Sequence, residues 1–155
     1  MAEHSPTPGF LIWRLAMKLR VAVDRALAPL DLTHAQYSLL ASLYSVQRSG
    51  RRPSQRELAD HTGLEPLYVS KLARTLETAG LVERIQHPDD TRAVQLSLST
   101  HGEQVVLRAI ATVRALHSEL MAPLGGLPSE RGQAFMADLR ALLDAPLTID
   151  GPVAP

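Results

Sequence analysis

Residues 54–80 read SQRELADHTGLEPLYVSKLARTLETAG. Ser54 and Glu57 stand three apart, just ahead of Leu58 and Ala59. That is the spacing of a capping box, in which a hydroxyl and a carboxylate each accept a backbone N–H where a helix begins. Thr62-Gly63 stops this short helix, since glycine takes the left-handed conformation of a helix end without a Cβ penalty. A further helix opens near Glu65, with Pro66 at its first position, where the missing N–H of proline costs nothing. It runs to about Ala79, and Gly80 closes it. A short helix, a tight glycine turn and a second helix make the helix-turn-helix pattern.

Beyond Gly80 the hydrophobic period changes. Leu81, Val82 and Ile85 form one short strand, and Val94, Leu96 and Leu98 alternate with polar residues as a second. The polar stretch His87 to Ala93 between them reads as a hairpin turn, so the helix pair gains a wing. Upstream, Thr33-His-Ala-Gln36 is another capping box and opens a helix carrying Leu39, Leu40 and Leu43, followed by a basic loop from Gln47 to Pro53. Before that, apolar residues recur at helical spacing from Phe10 to Leu27 in a wide stripe that ends at Pro29. Downstream, Thr100-His-Gly-Glu103 fits a third capping box and starts a helix of about 24 residues, roughly 36 Å long. Gly125-Gly126 and Pro128 break it, and Ser129 caps a last helix bearing Phe135, Met136, Leu139, Leu142 and Leu143.

The expected fold is therefore mainly α, with six helices and a small β-hairpin wing. A winged helix-turn-helix lobe spans 31–99. The long helices of 10–30 and 100–145 are too apolar to be covered by so small a lobe, and are expected to bury each other across a homodimer. Residues 1–9 read as a flexible arm and the proline-rich stretch 146–155 as a disordered tail.

Composition narrows the function classes. The chain has 155 residues, 45% of them apolar, with 16 basic and 16 acidic residues and no cysteine. Disulfides, thiol nucleophiles and cysteine zinc sites are thereby excluded. Met1 to Gly9 lacks the basic and apolar segments of a signal peptide, and no stretch is apolar enough for a membrane span, so a soluble, cytoplasmic protein is expected. The basic residues are 14 arginines and 2 lysines, which favours planar, bidentate recognition over point charges. Charge is evenly spread: residues 48–92 carry 8 basic and 7 acidic groups. Any positive face must therefore come from the placement of a few arginines.

On the helix after Gly63, Val69, Leu72, Ala73 and Leu76 form the inward stripe. The other face presents Leu67, Lys71, Arg74 and Thr78, flanked by Tyr68, Ser70 and Thr75. Cations and hydroxyls on a helix that fits a major groove suit phosphate and base-edge contact, and its first turn would lie deepest. In the wing turn Arg92 can reach an adjacent minor groove, with Asp90 positioned to hold Arg92 or Arg84 by a bidentate pair. The same elements also suit a winged-helix module that contacts another protein without DNA.

The run SQRELADHTGL (54–64), with Val69-Ser70, Leu76-Glu77 and Gly80-Leu-Val-Glu-Arg84, resembles the MarR (multiple antibiotic resistance regulator) family. The wing Asp90-Thr-Arg92 followed by VQLSLSTHG (94–102) is similar to that family's D-x-R…L-(S/T)-x-x-G signature, and Leu32 to Tyr37 to its second-helix start. The resemblance covers roughly 10–145. It implies a homodimeric winged-helix transcriptional regulator on a pseudo-palindromic operator, usually a repressor released by a small aromatic or phenolic anion. By the same resemblance Arg92 enters the minor groove with Asp90 as its organising partner. Ser54, Gln55 and Arg56 open the helix that meets phosphate. Ser70, Lys71 and Arg74 lie along the groove, and Pro66, Leu67 and Tyr68 lie nearest the bases. Leu67-Tyr68 is bulkier than many recognition-helix starts. The family's effector pocket, between lobe and dimer helices, would draw on Trp13, Arg14, His34 and Tyr37.

The remaining chemistry is bland. None of the six histidines pairs with another at metal-ligand spacing on a helix, so no metal and no cofactor are expected, although His61 and His87 flank the DNA-facing elements. No nucleophile–base–orienter order and no paired carboxylates stand out, which argues against an enzyme.

Overall fold

The structure is a computed structural model that describes residues 5–88, 90 and 92–147. The first four residues of the arm, Asp89 and Thr91 of the wing turn, and the tail beyond Leu147 lie outside the described residues. Helix α1 spans Pro8–Leu27, α2 His34–Arg48, α3 Gln55–Thr62 and α4 Pro66–Thr78. Strands β1 (Val82–Gln86) and β2 (Val94–Leu98) follow, then α5 (Thr100–Met121) and α6 (Glu130–Asp144). The expected mainly α winged-helix fold, with six helices and one hairpin, is what forms. Two compact units divide the chain, Met1–Arg114 and Ala115–Pro155.

Helix starts follow the side-chain chemistry. Thr33 and Ser54 both complete reciprocal capping boxes, with Gln36 and Glu57 reaching back to the cap N–H at 2.9 and 2.7 Å. Glu65 caps α4 by accepting the Tyr68 N–H at 3.1 Å, and Pro66 takes the first helical position. Between α3 and α4, Gly63 sits at φ 69°, the left-handed region in which a Cβ would be strained. Helix α1 begins at Pro8, earlier than Phe10, because the Thr7 hydroxyl accepts the Phe10 N–H.

The third capping box requires correction. The cap of α5 is Ser99, whose Oγ accepts the Gly102 N–H at 2.9 Å, and Thr100 is already helical. Thr100 and Glu103 match the motif by spacing, but the Ser99 hydroxyl is fixed one residue earlier by donating to the Gly80 carbonyl at 2.6 Å. Gly102 is required there: a Cβ would sit 1.8 Å from the Leu81 carbonyl oxygen.

The hairpin is antiparallel, with Val82 opposite Leu98 and Gln86 opposite Val94. The stretch read as a basic loop from Gln47 is partly helix. Gln47 lies within α2 and its Oε1 accepts the Leu98 N–H at 2.7 Å, pinning the wing to α2. The segment before α3 pins it again: the Leu96 N–H donates to the Pro53 carbonyl, and the Gln95 side chain to the Arg52 carbonyl. The core of the first unit joins Leu39, Leu40 and Leu43 of α2, Leu58 of α3, Val69, Ala73 and Leu76 of α4, and Leu96 of β2, all essentially without solvent exposure. Burial of each such leucine or valine side chain contributes roughly 1.5–3 kcal/mol. No helix among the described residues is long and apolar enough to cross a membrane.

Candidate nucleic-acid interface

The start of α3, the exposed side of α4 and the wing enclose an open cleft of about 860 Å³. Ser54, Gln55 and Arg56 line it from α3, Pro66, Ser70 and Arg74 from α4, and Asp90 and Arg92 from the wing turn. These residues lie up to 38 positions apart in sequence. The strands bring them together: once Gln86 pairs with Val94, the turn must return beside α4. Glu57 of α3, Arg84 of β1, and His87, Ala93 and Val94 at the turn and the start of β2 complete the lining.

The geometry assigns Arg84 a different partner from the one expected. Its Nη1 lies 3.4 Å from Glu77 Oε2 on α4, which ties the wing to the helix. Asp90 instead accepts the Arg92 backbone N–H at 2.9 Å, and its own carbonyl accepts the Ala93 N–H at 3.0 Å, so it shapes the turn that carries Arg92. Sequence reading favours the neighbouring carboxylate. Strand geometry brings the more distant Glu77 to Arg84.

The basic run before α3 is likewise partly neutralised. Arg51 donates to Glu57 Oε1 at 2.7 Å, while Glu57 Oε2 accepts the Ser54 N–H. That backbone hydrogen bond, with smaller contributions from the Ser54 hydroxyl and Arg51, holds the Glu57 carboxyl below its usual range. Arg48 leans over the Tyr44 ring at 6.0 Å. The cations left facing the cleft are Arg56, Arg74 and Arg92, all exposed. Gln55 Nε2 and Arg84 Nε, both on cleft residues, are buried without a hydrogen-bond partner among the described residues.

On α4 the inward stripe is Val69, Leu72, Ala73 and Leu76, as the periodicity requires. Leu67 is 79% exposed, and Lys71 and Thr78 also face solvent. Tyr68, half exposed, turns the other way and lines a second cavity of about 400 Å³ with Leu64, Arg20 and Asp24 of α1, and Thr33, His34, Ala35 and Ser38 around the start of α2. Asp24 Oδ1 accepts the His34 N–H at 2.6 Å there, with Arg20 at 3.9 Å from the same carboxylate.

The four expected effector residues are dispersed. His34 lines this second cavity. Tyr37 is half-buried, and its hydroxyl is pushed up by burial, against the opposing charge of Arg114. Trp13 and Arg14 stand exposed near the start of α1 with Phe10, which lies 6.3 Å from the Trp13 ring and 5.9 Å from the Arg14 guanidinium. His61 is exposed at the end of α3. No group of three or more His, Asp or Glu among the described residues is arranged to hold a metal ion.

Comparison with known proteins agrees with this geometry. The MarR family model matches residues 32–94. An uncharacterized HTH-type transcriptional regulator of Bacillus subtilis, YdcH, is 34% identical over 137 residues, 88% of this chain and 90% of that protein. The HTH-type transcriptional repressor Rv2887 of Mycobacterium tuberculosis is 34% identical over 124 residues, 80% of this chain and 86% of its own. Among solved structures, MepR of S. aureus in complex with DNA has a TM-score of 0.79 at 26% identity, covering 90% of this chain and 98% of that one. A mutant MarR of E. coli complexed with operator DNA has a TM-score of 0.74 at 26% identity, covering 88% and 93%. A winged-helix lobe with its cations gathered at one cleft, and relatives that match along most of their length, lead to one conclusion: the chain belongs to the MarR family of transcriptional regulators, and is not an enzyme.

Proposed function

We propose that the protein is a cytoplasmic, homodimeric repressor that binds a pseudo-palindromic operator and is released by a small aromatic or phenolic anion. One observation carries the DNA part. Arg92 of the wing and Ser70 and Arg74 of α4 open on the same cleft as Ser54, Gln55 and Arg56, so one duplex can meet all of them. In this reading α4 enters the major groove, Lys71 and Arg74 neutralise phosphates, and Arg92 reaches the adjacent minor groove, where negative potential is concentrated. Residues 31–99 serve as the DNA lobe, with 10–30 and 100–145 as the dimerisation region.

The dimer reading draws on α1. Phe10, Leu11, Ile12 and Trp13 are each about half exposed, and Leu15, Met17 and Val21 continue that apolar surface, although the helix is well formed. A second copy would cover them and would set two α4 helices about one helical turn of DNA, roughly 34–36 Å, apart. The release reading draws on the cavity beside Tyr68. Its volume of about 400 Å³ suits a small ligand. An anion there would compete with the Asp24 carboxylate for Arg20 and the His34 N–H, and Tyr68 belongs to the first turn of α4. A ligand bound there more tightly in the DNA-incompatible spacing shifts the population away from operator binding.

Gel shift on the intergenic DNA upstream of the gene tests the central claim. Salt-sensitive binding is expected, and Arg92→Ala should weaken it by about 1–3 kcal/mol. No salt-sensitive binding would overturn the DNA reading in favour of a protein-contact module. Wild-type affinity in Arg92→Ala would refute the wing's role.

A further inference from the structure

The solvent face of α4 carries Ser70, Lys71, Arg74 and Thr78, and within that polar stripe a single apolar side chain, Leu67. Leu67 is 79% exposed in the first turn of the helix. Helical spacing stacks it in line with Lys71 and Arg74, four and seven residues on. It lies between the cleft reached by Pro66 and Ser70 and the cavity walled by Tyr68. This turn is poorly suited to phosphate. Pro66 has no N–H, the Tyr68 N–H is taken by the Glu65 carboxylate, and that carboxylate itself repels anions.

The exposed apolar residues of α1 cluster along their own helix, as the surface for a second copy does. Leu67 instead shares its line of the helix with the cations Lys71 and Arg74. Its surroundings ask for a partner that is anionic around the rim and apolar at one spot. The major groove of B-DNA is such a surface: phosphates flank base edges, and the one apolar group on those edges is the C5-methyl of thymine.

We infer that Leu67 packs on the C5-methyl of a thymine in each half-site and so determines specificity at that base pair. The inference rests on the DNA-binding reading. Leucine has neither donor nor acceptor, so it reads the methyl and nothing else at that edge. It therefore treats 5-methylcytosine like thymine with respect to this group, and unmodified cytosine or uracil as lacking it.

The full-length protein is used to select duplexes from a random-sequence pool, and each thymine of the selected half-site is then replaced singly by deoxyuridine. This deletes the methyl and leaves every hydrogen-bonding group in place. At one position per half-site, uracil should weaken wild-type binding about four-fold, the effect of exposing one buried methyl-sized group. Leu67→Ala alters a solvent-facing residue that the fold does not need, and should bind the thymine and uracil duplexes alike. Lys71→Ala should bind both more weakly but keep the uracil penalty. Wild-type indifference to uracil at every position overturns the contact while leaving DNA binding intact, and so does an undiminished penalty in Leu67→Ala. Failure to select any duplex above background overturns the DNA-binding reading, and this inference with it.

Discussion

The winged-helix lobe and α1 both carry many apolar residues and treat them in opposite ways. In the lobe, Leu39, Leu40, Leu43, Leu58, Val69 and Leu96 have no solvent exposure. Along α1, only Val23 and Leu27 are buried, while Phe10, Leu11, Ile12, Trp13 and Val21 stay about half exposed. Hydrophobic burial has no preferred direction and scales with the area removed from water, so each set is satisfied by whatever surface can reach it. The lobe's helices and hairpin surround one another within a single chain. Along α1, by contrast, Phe10, Leu11, Ile12 and Trp13 keep about half of their surface open among the described residues. The lobe's apolar residues are thus satisfied within the molecule, whereas the exposed surface of α1 is what the proposed second copy would cover.

That contrast can be broken first at its strongest point. Leu58→Ala removes a fully buried side chain and should destabilise the lobe by about 2–5 kcal/mol, measured by chemical denaturation. A cost under 1 kcal/mol would show that the lobe is not closely packed. Leu11→Glu, on the exposed side of α1, should leave that unfolding transition in place but raise the dimer dissociation constant at least about ten-fold, a change of about 1.4 kcal/mol, followed by sedimentation. An unaltered dimer would mean that α1 pairs through another face, or not at all.

Ser54→Ala tests a smaller component inside the lobe. It deletes the α3 cap, which accepts the Glu57 N–H at 3.1 Å, and should cost about 1 kcal/mol in the same denaturation assay. Ser54→Gly should cost only a few tenths. The smallest effect concerns pH. The carboxyl of Glu57 is held below its unfolded value, so the folded state releases its proton more readily than the unfolded state does. Its contribution is fully present above the unfolded pKa and is lost as pH falls through the lower, folded one. Glu57→Gln should therefore lower stability slightly near neutrality and flatten the acid limb of the stability profile. Parallel profiles for the two proteins would show that the carboxylate's charge is immaterial to the cap.

Local chemistry made much of this structure legible from sequence. The two reciprocal capping boxes, Gly63, Pro66 and the switch from helical to alternating periodicity are each decided within a few residues, and each lies where the sequence places it. The third box failed because Thr100–Glu103 and Ser99–Gly102 have the same spacing, and only the carbonyl of Gly80, 19 residues away, selects Ser99. The Arg84 alternative failed in a similar way, while Asp90 does bond the backbone of Arg92. Spacing pairs Arg84 with the acids of its own hairpin, whereas packing of β1 against α4 offers Glu77. Ser54, Gln55, Arg56, Ser70, Arg74, Asp90 and Arg92 were recognisable as candidates by type and position. Their assembly into one cleft, together with Arg84 and His87, depends on the strand register.

The amino-acid sequence alone determined where α2, α3 and α4 start, which stripe of α4 turns inward, and that a few placed arginines would have to supply any positive face. These are properties of dihedral preference, local hydrogen bonding and hydrophobic period, whose range is one or two turns of chain. Tertiary structure alone decided which charges are spent inside the molecule and which are left to meet a partner. Arg51 is taken by Glu57 and Arg84 by Glu77, whereas Arg56, Arg74 and Arg92 converge on an open cleft. It also decided that Tyr68 walls a cavity shared with α1 while its neighbour Leu67 faces solvent. Electrostatic pairing and exposure depend on distances through space, and those exist only once the strands and helices have met.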